Sequence, residues 1–196
     1  MDKNILISGV GGQGTVLASR LIAAAFMANG EFVRTAETIG MAQRGGCVVS
    51  HVRASSEEKN SIIPLGKAEL LIAFEPAEAV RNLSRLSENG GCIVNTQTIV
   101  PVTSSLGEAE YNTEKVISTL KNRVKKLLFI DALPLAKRAG SPKAVNVVLL
   151  GAAIGSSLLD ITKEQMENAL LSMLPKKLHK INLEALSLGI SAASKE

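Results

Sequence analysis

The sequence predicts an α/β fold: a three-layer α/β/α sandwich with a largely parallel, mixed sheet and C-terminal helices. Three observations point to it. Ile5, Leu6 and Ile7 form a short apolar run that reads as a buried strand, glycines follow, and residues 15–25 carry a helical pattern. Apolar runs at 69–74, 92–95 and 127–131 then alternate with helical segments, the order expected of parallel βα units. The run at 47–53 follows the strand at 31–37 with no room for a helix between them, which makes the sheet mixed.

In chain order, Asn29-Gly30 stops the first helix, with Gly30 at the left-handed position beyond its end. Residues 31–37 alternate as a second strand, 38–46 form a polar, glycine-bearing segment, and 47–53 alternate again as a third strand. A turn at 55–60 leads to a short edge element at 62–64 and a central strand at 69–74. Pro76 opens a helix over 76–86, where its missing N–H costs nothing, and Asn89-Gly90-Gly91 ends it before a strand at 92–95. Residues 101–112 read as irregular. A helix from 113 or 114 to about 125, a strand at 127–131 and a short helix at 134–138 come next.

Asn146 reads as the cap of an apolar helix over 147–158. Its small residues (Gly151, Ala152, Ala153, Gly155 and Ser156) permit close packing, either inside the core or against a partner. Thr162 with Gln165 forms a capping box for a helix ending at 174, and Pro175 with a basic turn leads to a last helix at about 183–194. With no repeat and no linker, residues 1–196 read as one domain, of which about 160–196 is a helical extension.

Composition narrows the function. The chain has 196 residues, of which 46% are hydrophobic, enough for a sizeable core. Only 3% are aromatic, with no Trp and Tyr111 as the single Tyr, so few rings exist to stack on bases and single-stranded nucleic-acid binding is disfavoured; no nucleic-acid partner is expected. The formal charge is +4. Lys121, Arg123, Lys125 and Lys126 form one basic cluster, and Lys176, Lys177, His179 and Lys180 another. They read either as solvated helix C-termini or as sites for an anionic partner.

Met1 to Asn4 lead straight into the first strand without a signal peptide, and the apolar stretch at 145–159 is too short to span a bilayer. The expectation is a cytoplasmic protein with no membrane partner. Cys47 and Cys92 are the only cysteines and lie far apart. A disulfide is not expected in that compartment, and a cluster normally needs four thiolates, so this chain cannot house one alone.

The glycine loop is the first candidate site. Gly9, Gly11 and Gly14 match the dinucleotide fingerprint, in which Gly9 turns sharply, Gly11 lets the backbone approach a phosphate and Gly14 permits tight helix–sheet contact. The same spacing also serves a tight βα turn with no ligand. A nicotinamide cofactor would want an acidic ribose clamp at the end of the second strand. Glu37 stands there but runs directly into a second glycine-bearing loop, an awkward place for a clamp. That loop places Gln43 and Arg44 beside Gly45 and Gly46. Arg44 could clamp a phosphate or carboxylate, or pair with Glu37 to hold the loop. Ligands of open α/β sheets sit beyond the carboxyl ends of parallel strands, where the ends of the first two strands would be neighbours. His51, in an alternating strand, reads as packed or paired inside the structure, and Asp131 either reaches the same carboxyl-end edge or caps the next helix. No Ser/His/Asp or metal-ligand spacing is visible.

Four stretches carry a resemblance. They are Gly9-Val10-Gly11-Gly12-Gln13-Gly14; residues 36–53, with Met41-Ala42-Gln43-Arg44-Gly45-Gly46 at their centre; Ala68-Glu69-Leu70-Leu71-Ile72-Ala73-Phe74-Glu75-Pro76; and Asn146-Val147-Val148-Leu149-Leu150-Gly151. In this order the chain resembles the gamma-type subunit of 2-oxoacid:ferredoxin oxidoreductases, and within them the beta subunit of the indolepyruvate enzymes. The likeness runs from about residue 3 to residue 160.

It implies a subunit of an enzyme that decarboxylates a 2-oxoacid on thiamine diphosphate, passes two electrons through 4Fe–4S clusters to ferredoxin, and releases an acyl-CoA. It further implies a cytoplasmic hetero-oligomer in which the thiamine and the clusters belong to partner catalytic chains. The isolated chain would then be inactive, with roles in active-site completion, coenzyme A contact and assembly. Carried over residue by residue, the binding face would comprise Gly9, Gly11, Gly12, Gln13, Gly14, Glu37, Met41, Gln43, Arg44 and Gly45, with no catalytic and no metal-binding residue. Relatives often have His where this chain has Ile39, so no proton-transfer role is assigned there. The competing readings are a free-standing NAD(P)-binding dehydrogenase of the Rossmann type and a pure assembly subunit.

Overall fold

The structure, a computed structural model, describes residues 2–39, 46–100 and 111–194. Its strands are β1 (Lys3–Val10), β2 (Phe32–Ile39), β3 (Cys47–Ser55), β4 (Ala68–Ala73), β5 (Leu86–Asn95) and β6 (Lys126–Ile130). They form one sheet in the order β2-β3-β1-β4-β5-β6. β1, β4, β5 and β6 pair in parallel, and β3 runs antiparallel to both β1 and β2. The expected mixed, mostly parallel α/β sheet is therefore present.

The helices are α1 (Thr15–Ala28), α2 (Pro76–Asn82), α3 (Thr113–Arg123), α4 (Ala132–Arg138), α5 (Val145–Gly155), α6 (Lys163–Met173) and α7 (Lys176–Ala193). Ile5 and Ile7 of β1 face a large core built with α1, α5, α6 and α7, whereas Leu6 faces a smaller one with Ala79 of α2 and Leu120 of α3. The alternation of β1 thus gives each helical layer its own apolar contact. Among the described residues no helix is long and apolar enough to cross a membrane.

Several boundaries differ from expectation, each for a physical reason. Asn89-Gly90-Gly91 does not end a helix but lies within β5, where the register against β4 jumps from Ala68↔Leu86 to Leu70↔Gly91. A Cβ on Gly90 would stand 2.8 Å from the Ala68 carbonyl, so this irregularity requires glycine. The helix before it stops at Asn82 and tightens into a 3₁₀ turn at Leu83–Arg85. Residues 62–64 form no strand; Ile63 is simply buried beneath the sheet.

Asn146 is not a cap: a 3₁₀ turn at Pro142–Ala144 precedes α5, and Asn146 sits inside the helix. α5 is internal, because Gly151 and Gly155 let it lie directly on the backbone of α7. Its small residues serve that contact rather than a partner. α7 starts at Lys176, so the second basic cluster occupies a helix N-terminus. The first cluster does sit at a C-terminus, with Lys121 and Arg123 in the last turn of α3. The Thr162–Gln165 capping box and the left-handed Gly30 (φ 81°) are as expected.

Candidate functional site

The loop after β1 is built by its own side chains. Gly9 is still in the strand, and the turn expected there comes instead at Gly12 (φ 97°) and Gly14 (φ 84°), both left-handed. Gln13 folds back over Gly9: its Oε1 accepts the Val10 N–H (2.7 Å) and its Nε2 donates to the Phe74 carbonyl (3.0 Å). A Cβ on Gly9 would lie 2.8 Å from that Oε1, so the missing side chain at Gly9 makes room for Gln13. The Gly11 N–H donates to the Gly46 carbonyl (2.9 Å) and is spent on holding the two loops together. Gly14 is the N-cap of α1 without a side-chain cap, and no acidic residue lies in the first turn.

Opposite this loop stands the entry to α5. Ser141 Oγ accepts the Lys143 N–H, and α5 begins with neither a side-chain cap nor a first-turn acid. Between the two walls opens a cleft of about 570 Å³, lined by Gly12, Gln13 and Gly14 on one side and by Gln97, Lys143 and Asn146 on the other. A smaller pocket of about 200 Å³ adjoins it, sharing Leu17, Lys143 and Asn146 and floored by Leu174, Leu178 and Ile181. A third pocket, about 190 Å³ beside Gly90 and Lys125, lies at the amino ends of the strands, remote from this edge.

The electrostatics of the cleft favour an anion. Uncapped helix N-termini present backbone N–H groups and a positive dipole end. The uncapped start of α1 and the start of α5, where the Lys143 and Val147 N–H groups are already taken by Ser141 and Asn146, converge here with Lys143 between the walls. Asn146 is buried, and its Oδ1 accepts the Val147 N–H. Its Nδ2 faces Gly14, because a Cβ on Gly14 would stand 2.8 Å from it.

The other face of the same sheet edge is acidic. Glu75, at the end of β4, accepts the Glu78 N–H (3.1 Å) and the Tyr111 hydroxyl. Glu78 pairs with Arg81, yet its Oε2 is buried without a partner. Burial holds the Glu78 carboxyl above the usual range against the pull of Arg81, and nearby Glu75 adds to the rise. Burial first, and then its bond to Glu75, push the Tyr111 hydroxyl up as well. The groups that favour an anion therefore lie on the α1–α5 side of the edge, and the carboxylates on the α2 side.

Of the residues singled out from the sequence, Gly12, Gln13 and Gly14 line the cleft. Gly9 and Gly11 shape the loop from beneath and from the side. Glu37 is exposed on β2, paired in register with Ser50 of β3. Since β3 lies between β1 and β2, their carboxyl ends are not neighbours but about 10 Å apart, two strand spacings. This removes Glu37 from the position of a ribose clamp. Met41, Gln43, Arg44 and Gly45 lie outside the described residues.

His51 is buried, its Nδ1 accepting the Ile63 N–H (3.2 Å), and burial with the nearby Arg85 charge lowers its pKa to about 4. Asp131 precedes α4 without a capping hydrogen bond, contrary to expectation. Cys47 is exposed, while Cys92 is buried in β5 with its thiol pushed up to about 12 by burial. Among the described residues no group of three or more His, Cys, Asp or Glu side chains is placed to hold a metal. Sequence reasoning missed Lys143, Gln97 and the site role of Asn146. The available signal was that 96–100 follows the carboxyl end of a parallel strand, where ligands of such sheets bind.

The profile of the pyruvate ferredoxin/flavodoxin oxidoreductase family matches residues 4–192. The indolepyruvate oxidoreductase subunit IorB of Archaeoglobus fulgidus is 39% identical over 194 residues, covering 98% of this chain and 96% of that protein. The same-named subunit of Methanothermobacter thermautotrophicus is 37% identical, covering 99% of each. Among solved structures, the gamma subunit of a keto/oxoacid ferredoxin oxidoreductase from Geobacter sulfurreducens superposes with a TM-score of 0.71, at 23% identity and 99% coverage of both chains. The 2-oxoglutarate:ferredoxin oxidoreductase of Magnetococcus marinus, solved with 2-oxoglutarate, coenzyme A and succinyl-CoA bound, gives a TM-score of 0.72 at 22% identity. There the match covers 99% of this chain but 31% of the larger one. At these identities the two structures speak for the fold.

Proposed function

The chain belongs to the pyruvate ferredoxin/flavodoxin oxidoreductase family and is a subunit of a 2-oxoacid:ferredoxin oxidoreductase, and from that premise we propose that its carboxyl-edge cleft receives coenzyme A. The observation that carries this reading is the convergence of the α1 and α5 N-termini on one cleft with Lys143. Such donors suit the phosphates of coenzyme A, and the adjoining apolar pocket suits a less polar part of the same molecule. On the likeness over residues 36–53 we propose Arg44 as a second cation for that ligand.

In the overall reaction carbon dioxide leaves the 2-oxoacid, two electrons pass to ferredoxin, and the acyl group joins the thiol sulfur of coenzyme A as its proton is released. This chain's part is to bind and orient the coenzyme. We place the thiamine diphosphate and the clusters on partner catalytic chains. Cys92 is locked in the core as a thiol and Cys47 stands alone, so the donor set here does not fit a cluster. We take indolepyruvate as the 2-oxoacid from the names of the relatives, and the cytoplasm as the compartment. Assembly would bury an obligate-type interface of more than about 2,000 Å².

The test is co-expression with the thiamine-bearing subunit and anaerobic purification. A complex that oxidises indolepyruvate with coenzyme A and ferredoxin, and loses this activity when the present chain is omitted, supports the reading. An equally active preparation without this chain overturns it.

A further inference from the structure

We infer that Gln13 and Asn95 are positioning residues that fix the two walls of the cleft relative to each other through one shared acceptor, the Phe74 carbonyl. The inference rests on the reading that the cleft takes coenzyme A, but its geometry stands on its own observations.

The Phe74 carbonyl receives Gln13 Nε2 at 3.0 Å and Asn95 Nδ2 at 3.2 Å. A carbonyl oxygen has two lone pairs, so these two donors saturate it. Each amide is also engaged at its oxygen: Gln13 Oε1 accepts the Val10 N–H (2.7 Å), and Asn95 Oδ1 accepts the Ala132 N–H (3.3 Å). Flipping either amide would set oxygen against oxygen and N–H against N–H, so both orientations are fixed by their partners.

The chain of bonds runs Val10, Gln13, Phe74, Asn95, Ala132, from the end of β1 across the ends of β4 and β5 to the start of α4. Gly12 and Gly14 flank Gln13 on one wall, while Gln97 and Leu133 follow Asn95 and Ala132 on the other. Asn95 is fully buried and does not line the cleft. It can act on a ligand only by holding the groups that do.

The variants are Gln13→Glu and Asn95→Asp, each keeping the acceptor oxygen and losing the donor to Phe74. They are made singly and together in the assembled complex, with Lys143→Gln beside them. The first readout is amide hydrogen exchange at Gly11 and Gln13, whose N–H groups are hydrogen-bonded to Gly46 and Val10. Asn95→Asp should speed it roughly 2- to 12-fold, the effect of one ordinary hydrogen bond. The second is the KM for coenzyme A, which should rise with kcat little changed in Asn95→Asp, whose side chain is out of the ligand's reach, and also in Gln13→Glu, where the new carboxylate on the cleft wall adds charge repulsion to the lost bond. In the double variant it should rise by less than the product of the two, because both act through one acceptor.

Unchanged exchange at Gly11 and Gln13 in Asn95→Asp overturns the inference. So does a lowered melting temperature with normal KM in both variants while Lys143→Gln raises KM. Faster exchange with a KM that neither these variants nor Lys143→Gln moves upholds the positioning role and overturns the coenzyme A reading instead.

Discussion

Gly14 and Asn146 face each other across the cleft so closely that a Cβ on Gly14 would stand 2.8 Å from Asn146 Nδ2. This contact joins the start of α1 to the start of α5 and sets how near the two helix N-termini come. Gly14 also holds φ at 84°, which costs alanine about 1–2 kcal/mol. Gly14→Ala should therefore lose more stability than Gly12→Ala, since Gly12 shares the left-handed backbone but has open space around it. Urea unfolding of the two variants checks the difference. Equal losses would mean that Asn146 yields freely.

A second close approach holds the C-terminal helix. A Cβ on Gly189 would lie 2.1 Å from the Val148 carbonyl, and one on Gly151 2.3 Å from the Leu186 carbonyl. These are backbone atoms and cannot rotate away. Gly189→Ala should destabilise by about 1–3 kcal/mol or more, the usual range for overpacking. Thermal melting measures it, and a variant as stable as the parent would show that α7 can shift without cost.

What could be read from the sequence was local. The strand–loop–helix at the N-terminus, the Thr162–Gln165 box and Gly30 each depend on residues a few positions apart, and each stands as read. The misreadings share the opposite property. Asn89-Gly90-Gly91 has the composition of a helix stop, yet its form is dictated by pairing with β4 and by Leu158, which would collide with a Cβ on Gly91. Asn146 has the composition of a cap, but its neighbour is Gly14, far away in the chain. The ends of β1 and β2, neighbours by the sequence reading, are separated by the antiparallel β3. Lys143 carried no motif at all; only the packing of α5 brings it to the cleft.

His51 makes stability depend on pH. Its pKa of about 4 in the fold lies below the ordinary 6.5 because burial disfavours the imidazolium. The unfolded chain binds the proton first, so the stabilising contribution is complete above pH 6.5 and is lost as pH falls toward 4. Its size is about 3 kcal/mol. Urea midpoints measured between pH 7.5 and 4 should fall in the parent and fall less steeply in His51→Gln. Parallel curves would place the titration elsewhere.

Coenzyme A binding at the α1–α5 cleft is tested most directly by its KM in the complete complex carrying Lys143→Gln. Loss of a charge-assisted hydrogen bond is worth about 1.5–3 kcal/mol, so this KM should rise roughly 10- to 150-fold. The KM values for ferredoxin and the 2-oxoacid should stay near those of the parent, as should the melting temperature. A variant complex that assembles and melts like the parent, with an unchanged KM for coenzyme A, would contradict the assignment.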